Sequence, residues 1–185
     1  PSAAAGGYAL LASFALPVVL FPGAMCAFIA LLGLGGVFTA KAENNRAELS
    51  ARVALSTKAA LLLSIPAAMT VGILAKPLLA LLFSSALTGA QLNSAAELIQ
   101  LLSAGLVFAA VGTASAMQLC ATGHTAVGVV NAAAALLIKL VLTLLLATAK
   151  RTVFGGAFAT VAALFAFCVF NTVQAMRRTR SEFDA

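Results

Sequence analysis

The side chains of this sequence that could carry chemistry are polar residues set within long apolar stretches. Lys139 lies near the middle of one stretch, with Asn131 eight residues before it and Thr143 four residues after it. On a helix, these three residues fall roughly on one stripe. A buried ammonium group is costly, so Lys139 is predicted to face a cavity and to mark a functional path. Pairing with a backbone carbonyl is the alternative for Lys139, and interhelical hydrogen bonding is the alternative for the other two.

Gln118 is a fourth candidate for such a path, although a polar residue near the end of an apolar helix is ordinary. Catalytic patterns are missing from the sequence: no GxSxG, HExxH or phosphate-binding glycine motif occurs, and none of the 5 acidic residues lies deep in an apolar stretch. Cys120 and His124 are four residues apart, but no third metal ligand lies nearby. The sequence therefore predicts no enzyme activity, no cofactor and no metal site.

The spacing of the charges defines the elements that must position these residues. Residues 1–40, 98–138 and 152–176 contain no charged side chain, and residues 53–75 contain only Lys58. About 20 apolar residues suffice for a helix to cross a bilayer. The chain is 63% hydrophobic and 9% charged, with a mean hydropathy of +1.10. We therefore expect an all-α, polytopic transmembrane helix bundle, formed as a single unit by residues 1–185.

Five membrane-spanning helices are predicted, together with one short helix at the membrane interface over Pro77–Phe83. Pro17 and Pro22 should kink the first span. Residues 41–58 are rich in charge and are expected to form a solvated helical extension or a plain connecting loop, and residues 84–93 should form a loop. The five spans are predicted at about residues 8–38, 50–75, 94–119, 125–148 and 153–177.

The basic residues predict the orientation of the bundle in the membrane. Five crossings place seven Lys and Arg residues on the side of the C-terminus and three on the other side. Because cytoplasmic loops are enriched in Lys and Arg, the C-terminus should be cytoplasmic. The pI of 9.8 does not indicate nucleic-acid binding, since the basic residues flank apolar segments. We expect a multi-pass protein of the plasma membrane, with the lipid bilayer as its first partner.

The order of several motifs resembles a known transporter family. LSIPAA at 63–68, AKPLLALLF at 75–83, QLCATG at 118–123 and FGGAFAT at 154–160 follow one another as in the multidrug/oligosaccharidyl-lipid/polysaccharide exporter superfamily. The resemblance is greatest to stage V sporulation protein B-like and polysaccharide-biosynthesis flippases. In that family an Asn and a Lys often occupy the positions of Asn131 and Lys139. Thr143 and a first span without Arg are departures from the family pattern.

The resemblance implies a function and a missing partner. The chain would correspond to the last five helices of a transporter that flips lipid-linked oligosaccharide precursors of the cell envelope by alternating access, and the N-terminal half or a partner chain would complete it. Lys139 could then attract the diphosphate of the lipid-linked sugar. Two alternatives remain: a multidrug or cation antiporter of the same superfamily, and a non-transporting subunit that only packs against partners.

Overall fold

Helices make up nearly all of the structure, a computed structural model that describes residues 11–32, 34–83, 87–150 and 153–181. The all-α prediction is confirmed. A π-helical turn, Leu11–Ala15, leads directly into the first of seven α-helices in the described residues. These helices are α1 (Leu16–Leu32), α2 (Leu34–Ala42), α3 (Arg46–Ile73), α4 (Ala75–Phe83), α5 (Gly89–Ala121), α6 (Thr125–Lys150) and α7 (Val153–Ser181).

Four of these helices, α3, α5, α6 and α7, are long and apolar enough to cross a bilayer, so the chain is a membrane protein. They correspond to the second to fifth predicted spans. The predicted first span is represented by α1 and α2, which together run the length of α5. At one end the ring of Phe14 lies 4.9 Å from that of Phe83, and at the other Val37 and Ala40 pack against Ala121.

Helix α5 is the central element, with α1, α3 and α7 packed around it and α6 packed mainly against α7. Its contact with α7 depends on glycine. A Cβ on Gly112 would lie 2.6 Å from Cδ1 of Phe167 and 3.1 Å from the Cα of Cys168. A Cβ on Gly105 would lie 3.1 Å from Leu164. The two backbones can approach this closely because these positions lack a side chain, as in other small-residue contacts between membrane helices.

The charged stretch 41–58 forms the helical extension predicted for it rather than a plain loop. Helix α3 begins at Arg46, and the side chain of Asn45 caps it by accepting a hydrogen bond of 3.2 Å from the Glu48 amide. One turn later, Glu48 and Arg52 form an ion pair of 3.1 Å on the exposed surface. The solvated connector is therefore continuous with the membrane helix that carries Lys58.

The loop predicted over residues 84–93 is too long, because Gly89–Asn93 belong to α5. The helix starts early because Gln91 Oε1 accepts hydrogen bonds from both the backbone N–H and the hydroxyl of Thr88, each 3.0 Å long. This is the capping pattern of a Thr followed three residues later by Gln. The short helix expected over Pro77–Phe83 is present as α4, with Leu79 fully buried against the core.

The two ends of the bundle differ in charge. The basic end, as we call it, contains the start of α3 and the ends of α5 and α7. Its basic residues within the described helices are Lys41, Arg46, Arg52, Lys58, Arg177, Arg178 and Arg180. Lys41 donates a hydrogen bond to the Thr122 carbonyl just past α5, where the helix dipole favours a cation. The opposite end holds the Phe14–Phe83 contact and Lys76.

Candidate functional site

A cleft of about 350 Å³ lies between α3 and α7 at the basic end, with α5 as its floor. We refer to it as the basic-end cleft. Val53, Ala54, Ala175 and Met176 supply its apolar lining. Its polar lining comes from all three helices, and Lys58 is the charged member among the described residues: Ser50, Thr57, Lys58, Ser115, Gln118 and Thr172.

Helix α3 places its lining residues by simple periodicity. Ser50, Ala54 and Lys58 are four residues apart, so they lie one above another on the face that borders the cleft. The next face of α3 packs against α5 through Ala60, which is fully buried with Val111 and Ala114. Lys58 is therefore on the flank of a tightly packed helix contact, where its long side chain can reach the space between α3 and α7.

Gln118 joins α5 to α3 at the edge of the cleft. Its amide nitrogen donates to the Val53 carbonyl at 3.2 Å and to the Thr57 hydroxyl at 3.1 Å. The Thr57 hydroxyl in turn donates to the Val53 carbonyl one turn earlier, at 3.0 Å. The amide nitrogen of Gln118 is thus bonded within the protein. Its carbonyl oxygen accepts no hydrogen bond from another described residue.

On the other wall, Ser115 of α5 and Thr172 of α7 share a hydrogen bond of 3.0 Å between their hydroxyl oxygens. Ser115 is almost fully buried, at 1% exposure. Each hydroxyl carries one proton, and this contact uses only one of the two. Thr172 Oγ1 also lies 4.0 Å from Cys168 Sγ one turn earlier on α7, so the second O–H proton has a weak sulfur acceptor within reach.

The charge of Lys58 has no protein counter-ion among the described residues. Glu48, the nearest acidic residue along α3, is paired with Arg52 instead. Glu43 lies beyond Asn45 in the turn before α3, and Glu97 lies in the first half of α5, toward the opposite end. The cleft therefore combines an ammonium group, an O–H donor and a carbonyl acceptor on an apolar background.

Asn131 lies outside the lining of the cleft, in a hydrogen-bonded cluster between α6 and α7. Its amide nitrogen donates to Asn171 Oδ1 at 3.0 Å, and its carbonyl oxygen accepts from Gln174 at 3.1 Å. Asn171 also donates to the Phe167 carbonyl at 2.9 Å. Asn131 and Asn171 are both buried. These bonds hold α6 against α7, which is the structural alternative raised for Asn131 by the sequence.

Lys139 and Thr143 lie further along α6, both partly buried at the edge of the face that packs on α7. No described residue forms a hydrogen bond or ion pair with either side chain. Neither residue lines the basic-end cleft. Of the four predicted path residues, the structure therefore brings Gln118 alone into the cleft, and the path role of Lys139, Asn131 and Thr143 stays a prediction.

Sequence reasoning predicted none of the other polar cleft residues, which are Ser50, Thr57, Lys58, Ser115 and Thr172. A signal existed for Lys58, since it is the only charge in residues 53–75. Ser and Thr give little signal, because both occur widely in membrane helices as ordinary packing residues. Their pairing across 57 residues of sequence is visible only in the folded chain.

Comparison with protein-family models, curated proteins and solved structures found no match to this chain. The family resemblance of its motifs is therefore a hypothesis.

Proposed function

We propose that this chain is part of a membrane transporter that moves lipid-linked oligosaccharide precursors across the plasma membrane by alternating access. The observation that supports this proposal is the basic-end cleft, in which Lys58 and several uncharged polar groups line a gap between two membrane helices. A polar headgroup needs such a surface to leave the interface, because uncompensated polar groups are costly in hydrocarbon. The order of motifs supplies the substrate class.

The surface around the cleft suits a substrate whose tail stays in the bilayer. Next to the cleft, the outer surface of α3 presents exposed apolar side chains such as Leu55 and Leu62. A lipid tail can remain beside this surface while the headgroup occupies the cleft. The substrate would then keep its hydrocarbon chain out of water, where each exposed CH₂ group would cost about 0.8 kcal/mol.

In this proposal the basic end faces the cytoplasm. Helices α2, α3 and α7 carry seven Lys and Arg residues toward that end, whereas Lys76 and Lys150 lie toward the other end, so the excess of Lys and Arg is on the side expected to be cytoplasmic. A second set of helices, either in the same polypeptide or in a partner chain, would close the transport path opposite the cleft, because alternating access requires two bodies that move against each other.

A headgroup-accessibility assay tests the proposal. The protein at its full native length is reconstituted in phosphatidylcholine vesicles that contain a polyprenyl-diphosphate sugar with a fluorescent label on the sugar. A membrane-impermeant quencher is then added outside. Transport makes the inner-leaflet label quenchable over time, whereas protein-free vesicles lose only the outer-leaflet signal. If the inner-leaflet label stays protected, the proposal is wrong; movement of a lipophilic cation without lipid movement would support the antiporter instead.

A further inference from the structure

We propose that the basic-end cleft binds a phosphate-linked sugar, with Lys58 pairing with the phosphate and the Gln118 carbonyl accepting a hydroxyl of the sugar. That the ligand is attached to a lipid is taken from the proposed function, and the inference rests on it in this respect. It goes further by assigning particular atoms to the phosphate and to the sugar, and by placing the site on α3, α5 and α7 rather than at Lys139.

We assign a phosphate to the cleft because Lys58 and the hydroxyls of Ser115 and Thr172 line it together. Lys58 offers three N–H donors and a full charge, and no described residue neutralises it. On the opposite wall, one hydroxyl proton joins Ser115 to Thr172, and the other has only the Cys168 sulfur, a weak acceptor, 4.0 Å from Thr172 Oγ1. An oxyanion with several acceptor oxygens can receive from both walls at once, and charge-assisted bonds of this kind are roughly twice as strong as neutral ones.

We assign a sugar to the cleft because the side-chain carbonyl oxygen of Gln118 can accept a hydrogen bond from a hydroxyl group. Gln118 is only 2% exposed, and its amide nitrogen donates to two acceptors on α3. Its carbonyl oxygen lacks a donor among the described residues and is not one of the fully buried unpaired atoms, so it can accept a hydrogen bond from a ligand in the cleft. A bare phosphate diester or a fatty acid carboxylate has no proton to give at neutral pH. A sugar beside the phosphate supplies hydroxyl donors.

The size and lining of the cleft agree with one such unit. Its volume of about 350 Å³ falls at the lower end of the range for small-molecule sites. Val53, Ala54 and Ala175 give it apolar patches that can lie against the C–H faces of a pyranose ring. The polar groups are few and come from three different helices, so they fix the orientation of a ligand rather than merely solvate it.

Calorimetric titration of the full-length protein in phosphatidylcholine nanodiscs tests the inference. The ligands are a short-chain prenyl phosphoglucose, glucose 1-phosphate, a prenyl glucoside without phosphate and a prenyl phosphate without sugar. We expect the prenyl phosphoglucose to bind, and each of the two prenyl compounds that lacks one group to bind about tenfold more weakly or worse. Glucose 1-phosphate binding as tightly as the prenyl compound would support the same chemistry with a soluble source.

Matched variants assign the effect to the cleft. Lys58→Ala should weaken binding of the prenyl phosphoglucose by about tenfold, whereas Lys58→Arg should retain it and Lys76→Ala at the opposite end should leave it unchanged. Lys58 is exposed, so its replacement should leave the bundle folded, which is checked by unfolding in detergent. Gln118→Glu, which keeps the shape but adds a negative charge beside the phosphate, should also weaken binding.

Two results would overturn the inference: undiminished binding by a folded Lys58→Ala protein, or equal affinity for the ligand without phosphate. The proposed function fails separately. Binding that depends on Lys58 without any movement of labelled lipid would contradict transport and leave the site in place. If lipid transport is unchanged by Lys58→Ala, the proposed binding site is wrong, but the proposed transport function still holds.

Discussion

The basic end of the bundle and the glycine contact between α5 and α7 hold helices together in different ways. At the basic end, neighbouring helices are joined by side-chain hydrogen bonds such as Gln118 to Thr57 and Asn131 to Asn171. At Gly105 and Gly112 the two helices approach closely without a side chain between them, although a cavity of about 300 Å³, without a charged residue in its described lining, lies beside Gly105. Lipid offers no hydrophobic drive for helix association, so close packing and polar contacts are the available means. The difference teaches that the cavity at the polar contacts contains a charged side chain, Lys58, whereas the cavity beside the glycine contact contains none from the described residues.

The largest effect is expected at the glycine contact. Gly112→Ala would place a methyl group against Phe167 and the backbone of Cys168, so the helices must separate. We expect a loss of about 1–3 kcal/mol of unfolding free energy relative to Gly128→Ala. Gly128 is the matched control, because a Cβ there meets its nearest neighbour at 3.8 Å. Unfolding in mixed detergent micelles measures both, and equal stability would show that the close approach has no energetic importance.

The next effect concerns transport and compares two lysines within apolar helices. Lys58→Ala should slow the transport of labelled lipid by about tenfold, because the charge lines the cleft. Lys139→Ala should have a much smaller effect, since Lys139 lies outside that lining. The vesicle assay with equal amounts of each protein compares them directly. If Lys139→Ala slows transport more than Lys58→Ala does, the substrate path lies along α6, as the sequence predicted.

A smaller effect is expected where α6 meets α7. Asn171→Ala removes the bond from Asn131 and should cost about 0.6–1.7 kcal/mol, the range found for interhelical hydrogen bonds in membranes. Thr143→Val on α6 is the matched control, since no described residue bonds to its hydroxyl. A double-mutant cycle with Asn131→Ala isolates the pair. A coupling energy of zero would mean that the two amides do not hold α6 in place.

The smallest effect is expected in the solvated start of α3. Glu48→Gln removes the ion pair with Arg52 while keeping the shape of the side chain. Exposed pairs of this spacing contribute about 0.2–0.5 kcal/mol, and salt screens them. Unfolding at low and high salt should therefore show a small loss that disappears at high salt. A loss that persists would indicate that Glu48 has a further role at the basic end.

Much of the fold was predictable because hydrophobic length is a strong signal. The gaps between charges placed α3, α5, α6 and α7 correctly, and Glu48–Arg52 was readable from its spacing alone. The start of α5 was predicted wrongly, although Thr88 and Gln91 carried a capping pattern in the sequence.

The cleft was less predictable because it depends on which helix faces meet. Lys139 was predicted to lie on the substrate path because it is deep in a span. Lys58 lies near the charged connector and was interpreted as part of that connector. Its location between α3 and α7 follows from the packing of both helices on α5. The periodicity of one helix predicts which residues share a face, but it does not predict which other helix packs against that face.

Cysteine labelling of Ala54 and Leu55 tests the central claim most directly. The two residues are adjacent on α3 and equally deep, but Ala54 lines the cleft and Leu55 is 60% exposed on the outer face. Each is replaced by Cys in a protein whose Cys26, Cys120 and Cys168 are Ala, in lipid vesicles with a membrane-impermeant methanethiosulfonate. A wet cleft ionises the thiol at position 54 and predicts much faster labelling there than at position 55, with protection by the prenyl phosphoglucose. Equal rates at the two positions, or no protection, would contradict a polar binding cleft between α3 and α7.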